Sequence, residues 1–464
     1  MEVSQLRNKK ISVIGAARSG IGVAKLLKHH GSHVFVSDTQ DATKLATSIA
    51  ELRAEKIEFE VGQHSQQVFD CSLIVVSPGV PSDIPVVLEA KKRGITIVSE
   101  LEAASWFCKA PIVAITGSNG KTTTTTLIGR IFGDAKKKHV VAGNIGEAFS
   151  NFVLDVAETD VVVLEVSSFQ LDCIETFRPM VSIILNITRN HMDRYGNSME
   201  KYAASKARIF KNQAAGDTLI YNVDDEWSRK EIKAAKCTMI GFSTQRKLFE
   251  GAFIEDGILT TIIDNKRSNV IDVPMVSIKG EHNLQNAMAA TLATQLMGIS
   301  PAYIRSTLRN FKGVEHRQEF VRELNGIKYV NDSKATTVEA VWRALGAFSE
   351  PIVLILGGKD KGNDYSQIFD TVKKKVRAIV AIGHSAEKIV NNFSDKVRVE
   401  RVDTIGTEIP NNGSMEKTIA VATSLAQSGD VVLLSPACTS FDWFTDFEER
   451  GRIFKSIVHD LGSQ

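Results

Sequence analysis

Three short β-branched runs in this chain flow directly into glycine: residues 11–14 into Gly15, 112–115 into Thr116-Gly117, and 352–356 into Gly357-Gly358. A strand that ends in a glycine turn is how an open parallel sheet presents a crevice at its carboxyl edge. Around these starts, short apolar runs alternate with helical stretches, the pattern of parallel α/β layers. The expected fold class is α/β, with three domains each built on a mostly parallel open sheet. The length of 464 residues agrees, at roughly 150 residues per domain. The boundaries are expected near Ser105-Trp-Phe-Cys-Lys-Ala-Pro111 and after Phe311-Lys-Gly313, giving domains 1–107, 108–314 and 315–464. Residues about 240–280 alternate polar and apolar with Gly, Asp and Asn between the runs, so a small antiparallel insertion is expected there.

Composition narrows the function. A formal net charge of +2 argues against a general nucleic-acid binder or a polybasic membrane protein. The basic cluster Lys136-Lys137-Lys138-His139 reads as a solvated turn. Cys71, Cys108, Cys173, Cys237 and Cys438 are scattered without a C-x-x-C pair, as reduced thiols of a cytoplasmic protein would be. No apolar run approaches the ~18 residues of a membrane span, and Arg18 interrupts the first apolar stretch, so no signal peptide is expected.

The first glycine loop, Gly15-Ala-Ala-Arg-Ser-Gly20, opens an apolar-periodic helix, and the next strand ends in Asp38. This resembles a dinucleotide fingerprint with Asp38 placed to accept from ribose hydroxyls. Ala17 stands where the middle glycine belongs, which limits backbone approach to a pyrophosphate, and Arg18 offers a charge instead. A nucleotide of some kind, an NAD site and a ligand-free tight turn all remain open at this point. The turn Ser77-Pro-Gly-Val80, after another apolar run, could form the opposite wall.

The second loop, Thr116-Gly-Ser-Asn-Gly-Lys-Thr122, is a shortened phosphate loop followed by four more threonines. Glycines turn backbone N–H groups toward a phosphate and the helix N-terminus adds its dipole. Lys121 can reach the terminal phosphates and the Thr122 hydroxyl can ligate Mg²⁺. Thr123 to Thr126 are expected in the helix. Such a short motif is weak alone; its company strengthens it. Glu165 closes the apolar run 161–164, either as a solvated strand end or as a buried carboxylate, which calls for a cation. His191 follows another strand-like run, as a structural histidine or a second metal ligand. Asn283 and Asn286 share one helical face, suited to an adenine edge or to a helix cap.

These motifs in this order resemble the Mur ligase family, ATP-dependent amide ligases of peptidoglycan precursor synthesis. The matching segments are Thr116–Thr122 of the phosphate loop, Gly143-Asn-Ile-Gly146, Glu165-x-Ser-Ser-Phe-Gln170, Asn190-His-Met-Asp193, Ser205-Lys-Ala207, His282-Asn283-x-x-Asn286 and His316-Arg317. The resemblance implies a Rossmann-like N-terminal domain for a uridine diphosphate substrate, a central P-loop ATPase-like domain and a Rossmann-like C-terminal domain. It implies ATP contacts from Gly117, Asn119, Gly120, Lys121, Thr122, Thr123, Asn283, Asn286, Arg317, Asp332 and Lys334. Two Mg²⁺ ions are implied on Thr122, Glu165, His191 and Lys206, with Lys206 carbamylated by CO₂. Lys121, His191 and Lys206 are the implied catalytic residues.

The C-terminal segments Asn331-Asp-Ser-Lys-Ala-Thr336 and Leu434-Ser-Pro-Ala-Cys-Thr-Ser440-Phe-Asp442 resemble those of the D-glutamate-adding members. The implied substrate contacts are Ala17, Arg18, Ser19, Asp38, Thr39, Gly79, Val80, Asn144, Ser167 and Gln170, with Thr336, Lys361, Ser440, Phe441 and Phe447 for the amino acid. Two incoming carboxylates call for cations and hydroxyls, which Lys361, Thr336 and Ser440 supply. Thr337 departs from the family's frequent Asn. The implied reaction joins D-glutamate to UDP-N-acetylmuramoyl-L-alanine through an acyl phosphate, in a monomer with no nucleic-acid or membrane partner. The rivals are a ligase of the family with a different amino acid, a folylpolyglutamate synthetase, and an NAD-dependent oxidoreductase. The synthetase leaves residues 15–38 unexplained. The oxidoreductase leaves Lys121, Glu165 and His191 without work. A regulatory ATP-binder leaves the whole catalytic set unused.

Overall fold

A computed structural model describes residues 3–462 apart from 82, 191 and 361. His191 and Lys361 therefore lie outside the described residues. The chain forms two compact units, Met1–Phe311 and Lys312–Gln464. No helix of the described residues is long and apolar enough to cross a membrane, and all five cysteines are free.

The first unit carries two sheets. The N-terminal one is fully parallel, in the order Glu58–Val61, His33–Asp38, Lys10–Ile14, Leu73–Val76, Thr96–Ser99. Lys10–Ile14 pairs with a later strand on each side, so the strand order switches there and a crevice opens at its carboxyl end. The apolar stripe of helix Arg18–His29 buries Ile21, Val23, Ala24 and Leu27 against one face. Helix Pro85–Lys92, with proline in its first turn, covers the other.

The central sheet has nine strands. Its parallel heart runs His139–Gly143, Val161–Glu165, Ile112–Thr116, Val181–Ile184, Thr218–Asn222. These strands are apolar on both faces, as a doubly covered parallel sheet requires. The antiparallel insertion expected over about 240–280 is present but starts later. Thr238–Ser243 pairs parallel to its neighbour, and Gly251–Glu255 still runs parallel to it. Only from Gly251–Glu255 outward, through Ile258–Ile263 and Lys266–Asp272, is pairing antiparallel. Glycine explains the join: a Cβ on Gly251 would lie 2.1 Å from the Gly241 carbonyl oxygen.

The second unit holds a six-stranded sheet in the order Glu319–Leu324, Ile327–Asn331, Val431–Leu434, Ile352–Gly357, Val376–Ile382, Arg398–Arg401. All its pairings are parallel except that of the outer Glu319–Leu324. The carboxyl ends of its three central strands lie side by side, and the candidate amino-acid residues follow them.

Candidate active site

Strand Ile112–Thr116 delivers the phosphate loop and helix Lys121–Asp134 follows at once, one residue before Thr122. Gly120 caps the helix in the left-handed region at φ +82°, and a Cβ there would meet Asn286 Oδ1 at 2.2 Å. The loop is braced from behind. Ser118 N–H donates to Asn186 O at 2.9 Å, Asn119 N–H donates to Asn186 Oδ1 at 2.9 Å, and Ser118 Oγ donates to Thr188 O at 2.9 Å. Thr124 and Thr125 are fully buried, so packing, not helix propensity, fixes the threonine run as helix. Asn283 and Asn286 do not cap their helix: Gly280 holds that place, Asn283 Nδ2 donates to Lys279 O at 2.8 Å, and Asn286 Nδ2 donates to Asn283 Oδ1 at 3.3 Å.

Glu165 ends the strand beside the loop, paired with Ile115 on one side and Gly143 on the other. Its Oε1 accepts from Asn144 Nδ2 at 3.1 Å. Its Oε2 is buried without a partner among the described residues. A partnerless buried carboxylate oxygen is costly. An oxygen-seeking cation satisfies it, so the donor set of Glu165 and the Thr122 hydroxyl fits magnesium.

Lys206 comes from helix Met199–Ala207 and is 1% exposed. Its Nζ donates to Gly117 O at 2.8 Å, and Lys121 Nζ donates to the same oxygen at 2.9 Å. Burial, then the Lys121 charge, push the Lys206 ammonium well below its usual range, against the pull of Asp172. Its Nζ also stands 4.7 Å from the Tyr202 ring centroid, while the Tyr202 hydroxyl meets Ser118 Oγ at 3.1 Å. Behind it, Ser205 Oγ donates to Asp172 Oδ1 at 2.5 Å and Tyr195 donates to Asp172 Oδ2 at 3.0 Å. Sequence reasoning missed Ser118, Asn186, Thr188, Asp172, Tyr195 and Tyr202. Only Tyr202, one helical turn before Lys206, carried a signal. Ser167 and Gln170 form a capping box that occupies Gln170 Oε1, while the buried Gln170 Nε2 has no partner among the described residues.

At the N-terminal crevice Asp38 is buried, and its two oxygens accept from the N–H groups of Ala16 at 2.7 Å and Gln40 at 2.8 Å. It shapes the loop. Ala17, Arg18, Thr39 and Gly79 are exposed on the rim and Ser19 half-buried. Ser77 Oγ donates to Gly15 O at 3.2 Å, which brings the two walls together. Arg194, also missed, donates from Nη2 to Val80 O at 2.9 Å and stacks 3.7 Å above the Phe169 ring.

In the second unit Asp332 is buried; its oxygens accept from Ser435 Oγ at 2.8 Å and Gln318 N–H at 3.1 Å. Burial pushes its carboxyl up to about 7 despite those bonds and the Arg317 charge. Lys334 Nζ lies 5.6 Å from the Phe447 ring centroid. Thr336 is half-buried, Ser440 buried and Phe441 exposed. Glu315, His316 and Glu319 cluster like metal ligands, but Lys455 Nζ already bridges Glu315 at 2.5 Å and Glu319 at 2.9 Å.

The first unit thus presents a phosphate loop, a cation-seeking strand-end carboxylate and a buried lysine on one loop carbonyl. A set of that kind suits an ATP-dependent, magnesium-using enzyme of the open α/β class. Three family models match consecutive stretches: the MurD-like N-terminal domain over residues 9–99, the Mur ligase middle domain over 115–294, and the Mur ligase glutamate ligase domain over 316–438. The UDP-N-acetylmuramoylalanine–D-glutamate ligase of Chloroherpeton thalassium is 44% identical, covering 99% of this chain and 100% of its own. The ligase of the same name from Salinibacter ruber is also 44% identical, with 99% and 100% covered. The crystal structure of MurF from Acinetobacter baumannii shares the fold, with a TM-score of 0.60 at 16% identity, covering 97% of this chain and 93% of its own. The chain belongs to the Mur ligase family.

Proposed function

We propose that this chain is the ATP-dependent ligase that joins D-glutamate to the L-alanine carboxylate of UDP-N-acetylmuramoyl-L-alanine, in the cytoplasm and as a monomer. The observation that carries the reading is end-to-end identity of 44% with relatives bearing that name. Residues 1–107 are assigned to the UDP substrate, 108–314 to ATP, and 315–464 to D-glutamate and part of the nucleotide.

A carboxylate does not acylate an amine in neutral water until it has a leaving group. The substrate carboxylate attacks the γ-phosphorus, the bond to the β-bridging oxygen breaks, and ADP leaves. The D-glutamate amine then attacks the acyl carbon and phosphate departs, the amine proton passing to solvent. Positioning and charge neutralisation supply most of such catalysis. Lys121 is assigned to the β/γ-phosphates, the loop N–H groups to the phosphate oxygens, and Asn283 and Asn286 to the base. Arg317, Asp332 and Lys334 are assigned to the nucleotide from the second unit. Thr122 and Glu165 would hold one magnesium ion; His191 and a carbamate on Lys206 would hold a second. Bound magnesium offsets the charge on the transferring phosphoryl group. The depressed basicity of Lys206 favours the neutral amine, whose Nζ can form a bond to CO₂ carbon and release a proton. The N-terminal crevice is assigned to the uridine diphosphate, through Ala17, Arg18, Ser19, Asp38, Thr39, Gly79 and Val80. Asn144, Ser167 and Gln170 are assigned to the muramoyl-alanine end.

Phosphate release, measured with UDP-N-acetylmuramoyl-L-alanine, ATP and a panel of amino acids, tests the reading. D-Glutamate should be required, and L-glutamate and meso-diaminopimelate should be poor. Equal turnover with L-alanine or L-lysine would remove the D-glutamate assignment. Calorimetry should detect the UDP substrate and not NAD; NAD binding in competition with it would refute the crevice assignment.

A further inference from the structure

Arg450 is 1% exposed, one of the largest fully buried side chains in the chain. It projects from helix Phe447–Asp460 into the carboxyl edge of the second unit's sheet. Its Nε donates to Ser333 Oγ at 2.9 Å, its Nη2 to Ser333 O at 2.8 Å, and its Nη1 to Cys438 O at 3.2 Å. A third loop approaches it: a Cβ on Gly358 would lie 3.4 Å from Nη1. These loops follow Ile327–Asn331, Val431–Leu434 and Ile352–Gly357, three strands adjacent in the sheet. One guanidinium therefore bonds the loops after two of these strands and lies close to the loop after the third.

Among the described residues, every acceptor it uses is a neutral oxygen. The anion that acts on it through space, Asp442, is itself bonded to the N–H groups of His384 at 3.0 Å and Trp443 at 3.1 Å. Burial lowers the Arg450 guanidinium to about 10, which leaves it cationic at neutral pH. A buried cation bonded only to neutral groups is expensive. A neutral side chain would tie the loops at less cost, so the charge itself calls for a reason.

We propose that Arg450 is a positioning and specificity residue for the incoming amino acid: it fixes two of the loops, packs against the third and leaves beneath them a positive charge that favours a dicarboxylate. The inference rests on the assignment of Thr336, Lys361 and Ser440 to that amino acid. Those residues stand three, three and two positions beyond Ser333, Gly358 and Cys438, of which Arg450 bonds the first and last and lies close to the second.

The test is phosphate release by Arg450→Met and Arg450→Lys, with each substrate varied in turn. D-Glutamine, which keeps the shape and drops one charge, serves as a competing ligand. Arg450→Met should raise the KM for D-glutamate ten-fold or more and leave the KM for the UDP substrate within two-fold. The preference for D-glutamate over D-glutamine should narrow about ten-fold in Arg450→Met and persist in Arg450→Lys, which keeps the charge and loses the fork. A residue that only supports the fold would not move that ratio. If Arg450→Met does not fold, Arg450→Lys and Ser333→Ala decide: each should raise the KM for D-glutamate at least three-fold. An unchanged D-glutamate KM, equal rises in all three KM values, or an unaltered preference in folded Arg450→Met would overturn the proposal. If the native enzyme releases no phosphate in response to D-glutamate, the functional reading fails, and the proposal with it.

Discussion

Replacing Gly120 with alanine separates two costs that the phosphate loop avoids. Gly120 sits at φ +82°, and its added Cβ would lie 2.2 Å from Oδ1 and 3.0 Å from Cγ of Asn286. Holding an L-residue in the left-handed region costs about 1–2 kcal/mol. Forcing the buried Asn286 amide aside costs about 1–3 kcal/mol more. Gly120→Ala should therefore destabilise the loop and helix Lys121–Asp134 by about 2–5 kcal/mol. Asn286→Ala in the same background removes the steric part and leaves the backbone part. The double-mutant cycle should then show about 1–3 kcal/mol of favourable coupling. Native-state hydrogen exchange on peptides covering 112–134 in the full chain reads the local stability, and calorimetry with ATP reads the loop's competence. Both single variants should bind ATP weakly, because each disturbs a candidate nucleotide contact. Additivity of the two substitutions within about 0.5 kcal/mol would refute the close approach of Gly120 and Asn286 as the reason for glycine here.

Three further outcomes follow from the same structure. Lys206→Arg should nearly abolish phosphate release while ATP binding by calorimetry persists, and a short carboxylic acid should partly restore Lys206→Ala; a fully active Lys206→Arg enzyme would make Lys206 an ordinary buried lysine. Asp332, raised to about 7 from 3.8, favours its protonated form when folded, so its contribution is present below about pH 4 and is lost as pH rises through 7. Asp332→Asn should remove up to about 4 kcal/mol of that decline between pH 4 and 8 in denaturant titrations of the full chain. Glu102 accepts from Trp106 Nε1, Thr176 Oγ1 and the N–H groups of Glu175, Thr176 and Phe177. Glu102→Gln, which turns donors toward donors, should cost about 3–6 kcal/mol, read as a lower thermal midpoint.

The parts of the fold and site that were legible in the sequence are those written in contiguous residues. Strand, glycine and helix follow one another in 112–134, so the strand–loop–helix that carries Lys121 and Thr122 could be read directly. Glu165 stood out because an apolar strand ended in a charge, and its Oε2, without a partner among the described residues, is consistent with that reading. What was not legible depends on distant partners. Ser99-Glu-Leu-Glu102 has the spacing of a capping box. Ser99 does accept from Glu102 N–H, but the Glu102 carboxylate turns instead to residues 175–177, more than 70 positions away. Burial pushes that carboxyl up, yet the donors from Thr176, Glu175 and Trp106 outweigh burial and hold it below its usual value. Arg450 meets Ser333 across 117 positions, and nothing local marks it as buried. The antiparallel edge was placed too early because periodicity reports which face is buried and not which way the neighbouring strand runs.

The two sheets of the first unit form one body because polar anchors, not apolar contact alone, join them. Glu100 is buried and accepts from Ser150 N–H at 2.8 Å, while Ser99 N–H donates to Cys173 O at 2.8 Å. Burial pushes the Glu100 carboxyl up, despite its bonds to Ser150. Helix Arg18–His29 approaches so closely that a Cβ on Gly22 would lie 2.3 Å from Asn151 Oδ1. Apolar faces tolerate sliding, whereas a buried carboxylate loses its donors when its partner shifts by about an ångström. Such anchors fix the turn Ser77 to Val80, assigned to the uridine substrate, relative to the strand ends that carry Gly117 and Glu165. Arg194 joins them directly, bonded to Val80 O and stacked on Phe169 between Glu165 and Gln170. In the proposed reaction, phosphoryl transfer that forms the acyl phosphate depends on holding the substrate carboxylate within about 3–3.5 Å of the phosphorus. Anchors of this kind meet that demand, since the loops assigned to the sugar nucleotide and to the phosphates cannot drift apart without breaking buried hydrogen bonds.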